Sequence, residues 1–496
     1  MGRDTKSSRA LSQLGLHDPA ARGVRVSGLA IDSRMVEPGM LFAALPGSAV
    51  HGARFAEAAL SQGAAAILTD PAGAAILDGT VPDDVAIITT EDPRQALSFA
   101  AALWFGAQPE VCVAITGTNG KTSVATFARQ LWTELGLKAA NLGTTGIEGA
   151  YAAPLGHTTP EPITLHRHIA AMAKEGVTHL AMEASSHGLD QRRLDGVRLA
   201  AAAFTNFTQD HLDYHGSFEA YFEAKAGLFT RLLTEDGIAV INLDDLKGRA
   251  VEQLAVMRGQ EVISVGTRDE CTLRITGQRY DGSGQDLRFN WQGRPRLARL
   301  NLIGGFQASN ALVAAGLVIA GGEDPDAVFD ALPGLSGVRG RMQLAATRSN
   351  GASVFVDYAH TPDAVATALK ALRPHVLGRL VVVLGAGGDR DRSKRVLMGQ
   401  AAAQFADAVI VTDDNPRSED PDLIRAMVRQ GCPEAQDIGD RAEAILRGVD
   451  ALEPGDALLV AGKGHETGQI IGGDVLPFDD VEQASVAVAA LDGGVA

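Results

Sequence analysis

The sequence has few cysteines, and their placement argues against a disulfide framework. Cys112, Cys271 and Cys432 are the three cysteines in 496 residues, and none of them forms a C-x-x-C pair. Disulfide scaffolds need an even set of cysteines, and structural zinc sites need closely spaced ones. We therefore expect a reducing compartment, the cytoplasm, with neither disulfides nor a zinc knuckle.

Long apolar runs are also missing. The N-terminal stretch MGRDTKSSRALSQLGL contains no apolar core of a signal peptide. No uninterrupted apolar stretch approaches the ~18 residues that a membrane-spanning helix requires. We expect neither a signal peptide nor membrane insertion.

Positive charge is scarce as well. The formal net charge is -16, from 44 Lys and Arg against 60 Asp and Glu. Broad binding to nucleic acid or to an anionic membrane needs a basic face, so we expect neither partner. If the protein binds phosphate groups, it must bind them at a small site rather than over a broad basic surface. The 46% of hydrophobic residues and 56 glycines fit a globular α/β enzyme with many strand-loop-helix transitions.

Two stretches rich in Gly and Pro divide the chain. They are FGAQPE at 105–110 and LPGLSGVRGR at 332–341, and the length agrees with about three domains at ~150 residues each. Short β-branched runs alternate with helical stretches, which indicates parallel sheets covered on both faces. We predict an α/β protein with domains at 1–107, 108–334 and 335–496.

The stretch AITGTNGKTS at 114–123 is typical of a phosphate-binding loop. A buried strand, VCVAIT, leads into a glycine-rich turn, and the helix TSVATFARQLWTEL follows. Backbone N–H groups of such a turn can surround phosphates, with Lys121 on the outer phosphates and Thr122 on Mg²⁺. Ile115 stands where the first glycine of the full motif belongs. The predicted ATP contacts are Gly117, Thr118, Asn119, Gly120, Lys121, Thr122 and Ser123.

A second apolar run, in THLAMEASSHGLDQRR at 178–193, ends at Glu183. A carboxylate at the end of a strand is a candidate Mg²⁺ ligand beside a phosphate loop. A switch GTPase is the rival interpretation of the loop. The sequence lacks the N-K-x-D motif that reads guanine, which disfavours that rival.

Lys225 lies on a helical stretch, YFEAKAGLF at 221–229, whose aromatic and leucine residues share its face. It either extends its amine to water along its aliphatic stem or is buried and compensated, and periodicity alone favours the former. Upstream, His211 and His215 are four residues apart. A zinc peptidase is disfavoured there, because Leu212 stands where the glutamate of its motif belongs.

Taken in order, these motifs resemble the Mur ligases of peptidoglycan synthesis. The resemblance rests on TGTNGKT, EASSHGLDQRR, DHLDYHG, YFEAKAGLF, GRM, DYAHTPDA, GAGGDRDRSKR, DNPR and GKGHE, and it extends from DSR at 32–34 to residue 466. It is strongest to those members that add meso-2,6-diaminopimelate to UDP-MurNAc-L-Ala-D-Glu. The resemblance implies an N-terminal UDP-binding domain, a central P-loop ATPase domain and a C-terminal Rossmann-like domain that binds the amino acid.

The resemblance also implies a reaction and roles for individual residues. ATP would phosphorylate the γ-carboxylate of D-Glu, and the amine of the amino acid would attack the acyl phosphate. Lys121, Glu183, His211 and Lys225 would be catalytic, and Thr122, Glu183, His211 and the CO₂-derived carbamate of Lys225 would hold Mg²⁺. Asn310, Arg341 and Asp357 resemble further nucleotide contacts.

The same resemblance implies that the nucleotide-sugar substrate contacts Ile31, Ser33, Ser48, Ala49, Val50, His157, Thr158, Thr159, Ser185, Gln191 and Arg193. Two residues depart from the pattern. His157 replaces the asparagine of a related enzyme, and Gln307 replaces a usual asparagine.

Three polar loops follow apolar runs in the last segment, after LVVVLG, AVIVTD and ALLVAG. Such loops line one crevice of an open parallel sheet. Two arginines and a glutamate suit a ligand with two carboxylates and a distal ammonium. The predicted diaminopimelate contacts are Arg390, Asp414, Asn415, Pro416, Arg417, Gly462 and Glu466. Just beyond them, Asp420 and Pro421 are typical of a helix start.

Three alternatives stay open. They are the L-lysine-adding ligase of the same family, a folylpolyglutamate synthase and a nucleotide-binding regulatory protein without turnover. The set of Lys121, Glu183, His211 and Lys225 disfavours the last. We expect a monomer that binds UDP-MurNAc-L-Ala-D-Glu, meso-diaminopimelate and ATP.

Overall fold

The structure is a computed structural model that describes residues 8–17, 23–47, 50–208, 210 and 212–493. Ser48, Ala49 and His211 of the predicted site therefore lie outside the described residues. The chain divides into two compact units. Unit 1 runs as far as Ser264 and includes Gly316–Glu323, and unit 2 comprises Val265–Ala315 and the chain from Asp324 onward.

The first part of unit 1 is a small parallel sheet flanked by helices. Its strands follow the order β3-β4-β5-β6, and each neighbouring pair is parallel. Helices α2 and α3 begin at prolines behind the N-cap side chains of Asp70 and Asp92, which accept backbone N–H groups. The elements are β1 Arg9–Ala10, β2 Arg25–Val26, β3 Leu29–Ala30, β4 Leu41–Ala43, α1 Ala56–Ser61, β5 Ala66–Thr69, α2 Pro71–Leu77, β6 Ala86–Thr89 and α3 Pro93–Phe105.

A second sheet occupies the rest of unit 1. Its strands in unit 1 follow the order β13-β12-β11-β7-β10-β8-β9. The pairs from β12 to β8 are parallel, whereas β8 and β9 are antiparallel. Their fully apolar runs, such as Ala201–Phe204, are buried, as a sheet covered on both faces requires. The elements are β7 Val111–Thr116, α4 Lys121–Glu134, β8 Ala139–Gly143, β9 Gly146–Gly149, α5 Pro162–Lys174, β10 His179–Glu183, α6 Ser186–Asp190, β11 Ala201–Phe204, α7 Leu212–His215, α8 Phe218–Gly227, β12 Ile238–Asn242, α9 Gly248–Met257 and β13 Glu261–Gly266.

Unit 2 begins with an antiparallel meander, β14-β15-β16, and continues into a third sheet of order β17-β18-β22-β19-β20-β21. All neighbours in that third sheet are parallel except β17 and β18. One apolar cluster includes Val382 and Leu459, and another includes Val383 and Leu458, so both faces of the sheet are covered. The elements are β14 Leu273–Asp281, β15 Gly284–Trp291, β16 Arg294–Leu300, α10 Phe306–Ala320, α11 Pro325–Ala331, β17 Gln343–Thr347, β18 Ser353–Asp357, α12 Pro362–Leu372, β19 Leu380–Leu384, α13 Lys394–Phe405, β20 Ala408–Val411, α14 Pro421–Arg429, β21 Gln436–Asp437, α15 Arg441–Asp450, β22 Ala457–Ala461, β23 Gly468–Ile471, β24 Asp474–Pro477 and α16 Asp480–Leu491.

The predicted α/β class with parallel sheets is confirmed, and each predicted segment contributes one such sheet. The predicted helix start is confirmed too, because Asp420 caps α14 and Pro421 is its first residue. The domain boundaries after residues 107 and 334 stay predictions, since the division into compact units does not test them. No described helix combines the length and the apolar character that a membrane span needs.

Candidate active site

The predicted phosphate loop connects β7 to α4, as expected. Gly117 and Gly120 have φ angles of 146° and 85°, which favour glycine. A Cβ on Gly117 would also lie 1.9 Å from Oγ1 of Thr205, so no larger residue fits there. The loop ends at the N-terminus of the 14-residue helix α4, where backbone N–H groups and the helix dipole favour binding of an anion.

Lys121 folds back over this loop. Its Nζ donates to the carbonyl oxygens of Gly117 at 2.9 Å and Thr118 at 2.8 Å. Thr122 and Ser123 follow it, buried in the first turn of α4. The Lys121 amine therefore lies over the glycine turn, and its contact with the outer phosphates stays a prediction.

The loop after β11 supports the phosphate loop and was not singled out from the sequence. Asn206 accepts the N–H of Asn119 through Oδ1 at 2.8 Å, and Thr205 donates from Oγ1 to the Asn119 carbonyl at 2.6 Å. The available signal was the polar stretch TNFT directly after the apolar strand AAAF. Parallel pairing of β11 with β7 brings the two strand ends together.

Lys225 is buried beneath the same loop. Its Nζ donates to the Gly117 carbonyl at 2.7 Å and lies 4.6 Å from the centre of the Tyr221 ring. Burial, together with the charge of Lys121, lowers the pKa of Lys225 well below its ordinary value. The extension to water that periodicity alone favoured is wrong, because the residue is only 1% exposed.

Glu183 ends β10 where the sequence predicted, paired in register with Ile115 of β7. Its buried carboxylate accepts the N–H of Thr144 at 2.7 Å and the hydroxyl of Thr144 at 3.1 Å. A Cβ on Gly143 would lie 2.0 Å from Oε1 of Glu183, so this approach requires glycine. Glu183 and the phosphate loop thus lie at the same edge of the sheet.

A complete metal site is not formed within the part of the chain that the structure describes: no group of three or more His, Cys, Asp or Glu there could hold an ion. The predicted ligand His211 lies outside the described residues. The buried carboxylate of Glu183 is nevertheless of the kind that Mg²⁺ prefers.

Five predicted contacts of the peptide arm lie together. Thr159 contacts two of the others, since its Oγ1 accepts Ser185 Oγ at 3.1 Å and its carbonyl accepts Arg193 Nη1 at 2.6 Å. The Oγ1 of Thr159 also donates to the Glu183 carbonyl at 2.9 Å. Arg193 also donates to Oε1 of Gln191 at 2.8 Å. Thr158 joins through a 3.1 Å hydroxyl contact with Thr144.

Tyr214 extends this network and was not predicted. Its hydroxyl donates to Asp190 at 2.8 Å and accepts Nε2 of Gln191 at 3.0 Å. A cavity of about 470 Å³ opens beside it, lined by Asp190, Arg192, His215, Glu223 and Arg231 among others. The aromatic ring within DHLDYHG was the signal available in the sequence.

The remaining predicted sugar-nucleotide residues are less enclosed. Ile31 packs partly buried against the core, and Ser33 begins a short 3₁₀ turn capped by Asp32. Val50 is 47% exposed, and His157 is exposed.

Three predicted nucleotide residues lie in unit 2. The Arg341 guanidinium stacks 4.6 Å from the Tyr358 ring centre. Asp357 ends β18 and accepts the N–H of Met342 at 2.6 Å; burial raises the pKa of Asp357, while the Arg341 charge opposes that rise. Asn310 donates to Oε1 of Gln307 at 3.1 Å on α10, so the unusual Gln307 is itself a buried partner.

The three polar loops of unit 2 converge as predicted. They follow β19, β20 and β22, which are adjacent parallel strands. Asn415 donates from Nδ2 to Oε2 of Glu466 at 2.9 Å. A Cβ on Gly462 would lie 2.4 Å from Oδ2 of Asp414, so the second and third loops touch.

The side chain of Arg417 extends to the loop after β19. Its Nη1 donates to the Gly388 carbonyl at 2.8 Å, and its backbone has a φ of 51°. The hairpin β23-β24 holds this backbone, because Arg417 N–H donates to Ile470 at 3.0 Å and Gly472 N–H donates to Arg417 at 2.7 Å. Pro416 is buried beside it, and Arg390 is exposed. The hairpin was not foreseen.

Comparison with known proteins gives consistent matches. The Mur ligase family, catalytic domain, matches residues 25–104; the Mur ligase middle domain matches 115–318; and the Mur ligase glutamate ligase domain matches 340–464.

Similar proteins cover the chain almost end to end. The UDP-N-acetylmuramoyl-L-alanyl-D-glutamate--2,6-diaminopimelate ligase of Caulobacter vibrioides is 50% identical over 492 residues, 98% of this chain and 100% of that protein. The protein of the same name from Bradyrhizobium diazoefficiens is 50% identical over 479 residues, covering 95% and 96%.

Two solved structures are similar to this chain. A ligase structure of that name superposes with a TM-score of 0.73 at 35% identity, covering 98% of this chain and 99% of that one. The folylpolyglutamate synthase of Mycobacterium tuberculosis, complexed with ADP and AMPPCP, gives a TM-score of 0.62 at 20% identity over 80% and 95%. The second likeness extends to the fold alone.

Proposed function

Because the chain belongs to the Mur ligase family, we propose that it is an ATP-dependent ligase that adds meso-2,6-diaminopimelate to UDP-MurNAc-L-Ala-D-Glu. The new amide forms on the γ-carboxylate of D-Glu, in the synthesis of the peptidoglycan precursor. Relatives at 50% identity carry the name of this reaction. The observation that supports it most is the convergence of Arg417, Asn415 and Glu466 at one edge of the third sheet.

The order of the chemistry follows from the substrates. A carboxylate is a poor electrophile, so the γ-phosphoryl group of ATP is first transferred to the γ-carboxylate, and ADP is released. The neutral amine then attacks the acyl carbon and forms a C–N bond, which gives a tetrahedral intermediate. The nitrogen loses a proton, and the C–O bond breaks as phosphate leaves. Binding and orientation by the protein supply much of the acceleration of such a step.

Residues 117–123 are proposed to bind ATP. The backbone N–H groups of the loop and the α4 N-terminus suit phosphate oxygens, and Lys121 adds a positive charge. In unit 2, Asn310, Arg341 and Asp357 are proposed as further nucleotide contacts, since Arg341 already presents a flat guanidinium on Tyr358.

Mg²⁺ is the cofactor that ATP use in this family implies. We propose that Thr122, Glu183, His211 and the modified Lys225 hold it. When bound, Mg²⁺ offsets the negative charge that the phosphates and carboxylates bring together. Glu183 is fixed for this role by its two bonds from Thr144.

Lys225 is proposed to carry a carbamate. Burial lowers the pKa of Lys225 and so favours its neutral amine, whose lone pair can attack CO₂. A C–N bond forms, a proton is lost from the nitrogen, and the side chain becomes an anion. A basic side chain buried beside Lys121 thereby becomes an anion. This change removes the repulsion that burial of two amines on Gly117 creates.

Unit 1 is proposed to hold the nucleotide-sugar substrate. Ile31, Ser33, Ser48, Ala49 and Val50 would contact the UDP part. The cluster of Thr158, Thr159, Ser185, Gln191 and Arg193 would contact the peptide arm, with His157 at its edge. Arg193 suits a substrate carboxylate because its guanidinium is held by two oxygen acceptors.

Unit 2 is proposed to select the amino acid. Arg390 and Arg417 would bind carboxylate, and Asp414 and Glu466 would bind the distal ammonium, with Asn415, Pro416 and Gly462 completing the surface. L-lysine lacks the second carboxylate and leaves an arginine without its partner. Such a loss can reduce use of the wrong substrate by about 10⁴-fold.

Phosphate release with UDP-MurNAc-L-Ala-D-Glu, ATP and Mg²⁺ tests the proposal, with meso-diaminopimelate and L-lysine in parallel. We expect release with meso-diaminopimelate and little with L-lysine, and a new amide product by mass. Preference for L-lysine would favour the lysine-adding enzyme, use of a folate substrate would favour a folylpolyglutamate synthase, and no turnover would favour a regulatory protein.

Arg417→Ala tests the assignment of the carboxylate reader. We expect its preference for meso-diaminopimelate over L-lysine to fall by at least about tenfold, because a charged hydrogen bond is lost. Arg447→Ala is the matched control, since Arg447 is 61% exposed on α15. An unchanged ratio in Arg417→Ala would remove this assignment.

We also propose that the protein acts in the cytoplasm as a monomer. ATP as a substrate and the three free cysteines support the compartment. Size-exclusion chromatography with light scattering tests the oligomeric state.

A further inference from the structure

Lys463 is a fully buried lysine beneath the proposed amino-acid site. It belongs to the GKGHE turn after β22, and its side chain is 0% exposed. Lysine is almost never fully buried without partners, because removing an ammonium from water is costly. Lys463 is not among the proposed substrate contacts.

Lys463 connects two of the converging loops. Its Nζ donates to Oδ1 of Asn415 at 2.9 Å and to Oε2 of Glu466 at 3.1 Å. Asn415 in turn donates from Nδ2 to the same Oε2 at 2.9 Å. The three side chains therefore form a closed triangle, with Asn415 from the loop after β20 and the other two from the loop after β22.

The ammonium fixes which way the Asn415 amide points. An ammonium group can only donate, so it requires the amide oxygen, and the amide NH₂ must then face Glu466. The N–H of Ile470 donates to the same Oδ1 at 2.9 Å and reinforces this orientation. Without the Lys463 charge, one of the donors that hold the amide oxygen would be lost.

The same contacts orient Glu466. Both donors bond Oε2, so the other carboxylate oxygen is used by neither of them. The Glu466 side chain is 32% exposed while Lys463 is 0% exposed. The carboxylate is thus held from the protein side and open on the solvent side.

A second buried cation lies close by but is paired elsewhere. Both side chains of the Arg441–Asp480 ion pair are 0% exposed, and Arg441 donates to both Asp480 oxygens at 2.7 Å. Its Nη2 also donates to the Ala461 carbonyl at 3.1 Å. Arg441 fixes the end of β22, whereas Lys463 bonds Glu466 directly.

We propose that Lys463 is a positioning residue for amino-acid selection, which holds Glu466 and Asn415 in the orientation that receives the distal end of a diamino dicarboxylic acid. The inference rests on the proposed function. It adds a residue that contacts no substrate and acts through the two that do.

Lys463→Met tests this in the full-length chain, because methionine has a similar length and no charge. We expect the KM for meso-diaminopimelate to rise about tenfold or more, since charged hydrogen bonds to two substrate contacts are lost. The KM values for ATP and UDP-MurNAc-L-Ala-D-Glu should stay within about twofold, a selectivity that general damage to the fold would not produce. Lys370→Met is the matched control, an exposed lysine of α12.

A double-mutant cycle with Glu466→Gln separates positioning from a structural role. If Lys463 acts through Glu466, adding Lys463→Met to Glu466→Gln should raise the KM for meso-diaminopimelate by a further factor of about three or less. The inference would be overturned if the KM increase of the double variant equalled the product of the two single increases. Equal increases in all three KM values would overturn it as well. Lys463→Arg should retain a lower KM than Lys463→Met.

Thermal melts accompany these measurements. If Lys463→Met shows no folding transition, Lys463→Gln takes its place in the cycle with the same expected outcomes. Absence of ligation by the wild-type chain would instead contradict the proposed function, so the two failures are distinguishable.

Discussion

At the residue scale, the proposed carbamate of Lys225 would replace a basic amine beside the phosphate loop with a negative charge. Two amines, of Lys121 and Lys225, bond the carbonyl oxygen of Gly117 at 2.9 and 2.7 Å. We expect ¹³C-bicarbonate to give a carbamate NMR signal in the wild-type protein and none in Lys225→Gln. Phosphate release by Lys225→Gln should also fall by about 10²-fold or more, since the proposed carbamate ligand of Mg²⁺ is removed.

Lys247→Gln is a matched control, because Lys247 also faces an aromatic ring, 4.8 Å from the centre of Phe222. Its carbamate signal and turnover should equal those of the wild type. A wild-type protein without the signal but with full turnover in CO₂-depleted buffer would contradict the carbamate.

His166 makes the stability of unit 1 depend on pH. Burial lowers the pKa of His166 to about 4, despite the 3.1 Å contact of Nε2 with the Asp195 carbonyl. Between pH 6.5 and 4 the unfolded chain binds a proton at this histidine that the folded chain does not. Stability from this residue is therefore lost as the pH falls, by up to about 1.4 kcal/mol per pH unit.

His166→Gln removes the titration and keeps a donor for the Asp195 carbonyl. We expect its free energy of unfolding to fall less than that of the wild type between pH 7 and pH 5. Urea titrations at both pH values measure the difference. Equal losses in the two proteins would show that His166 is not the group that titrates.

At the scale of elements, the hairpin β23-β24 holds the loop that contains Arg417. The N–H of Gly472 donates to the Arg417 carbonyl at 2.7 Å, from a backbone with a φ of 59°. Gly472→Val should strain this left-handed position and loosen the pairing. We expect the KM for meso-diaminopimelate to rise several-fold and the KM for ATP to stay unchanged.

Gly259→Val is a matched control in unit 1. Gly259 has a φ of 79°, and a Cβ at either glycine would meet no atom within 4 Å. The two substitutions therefore cause similar backbone strain in open space, and only one touches Arg417. A rise of the diaminopimelate KM in both variants would exclude a specific role for the hairpin.

The elements that the sequence predicted are those with strong local patterns. The strand VCVAIT, the helix that follows the glycine turn and the strand ending at Glu183 are confirmed, because apolar runs stop where polar residues begin. The meander β14-β15-β16 was missed. Arginine and glutamine occupy much of it, and its pairing depends on partners rather than on its own hydrophobicity.

The candidate site residues that follow apolar strands could be predicted from the sequence. The residues whose place depends on contacts between distant loops were missed. Glu183 and Arg417 follow apolar runs, so they could be found by position alone. Lys463 resembles a surface lysine in the sequence, because its burial depends on Asn415, 48 residues earlier. Tyr214 likewise acquires its role only through Asp190 and Gln191.

At the scale of the whole molecule, the proposed amino-acid site lies in unit 2 and the proposed peptide-arm site lies in unit 1, so each ligand should protect its own unit. Hydrogen exchange with mass spectrometry can resolve this. Meso-diaminopimelate at 100 times its Kd should add about 2.7 kcal/mol of protection where it binds. We expect that protection in the loops at 385–390, 414–417 and 462–466, all in unit 2.

UDP-MurNAc-L-Ala-D-Glu should instead protect unit 1, at the segments that contain Thr158, Ser185 and Arg193, because the peptide-arm cluster lies there. L-lysine is the matched ligand for the first experiment, since it has one carboxylate fewer, and it should protect the unit 2 loops less at equal concentration. Protection of the peptide-arm cluster by meso-diaminopimelate alone, with none in the three loops, would contradict the assignment of amino-acid selection to Arg417 and its neighbours.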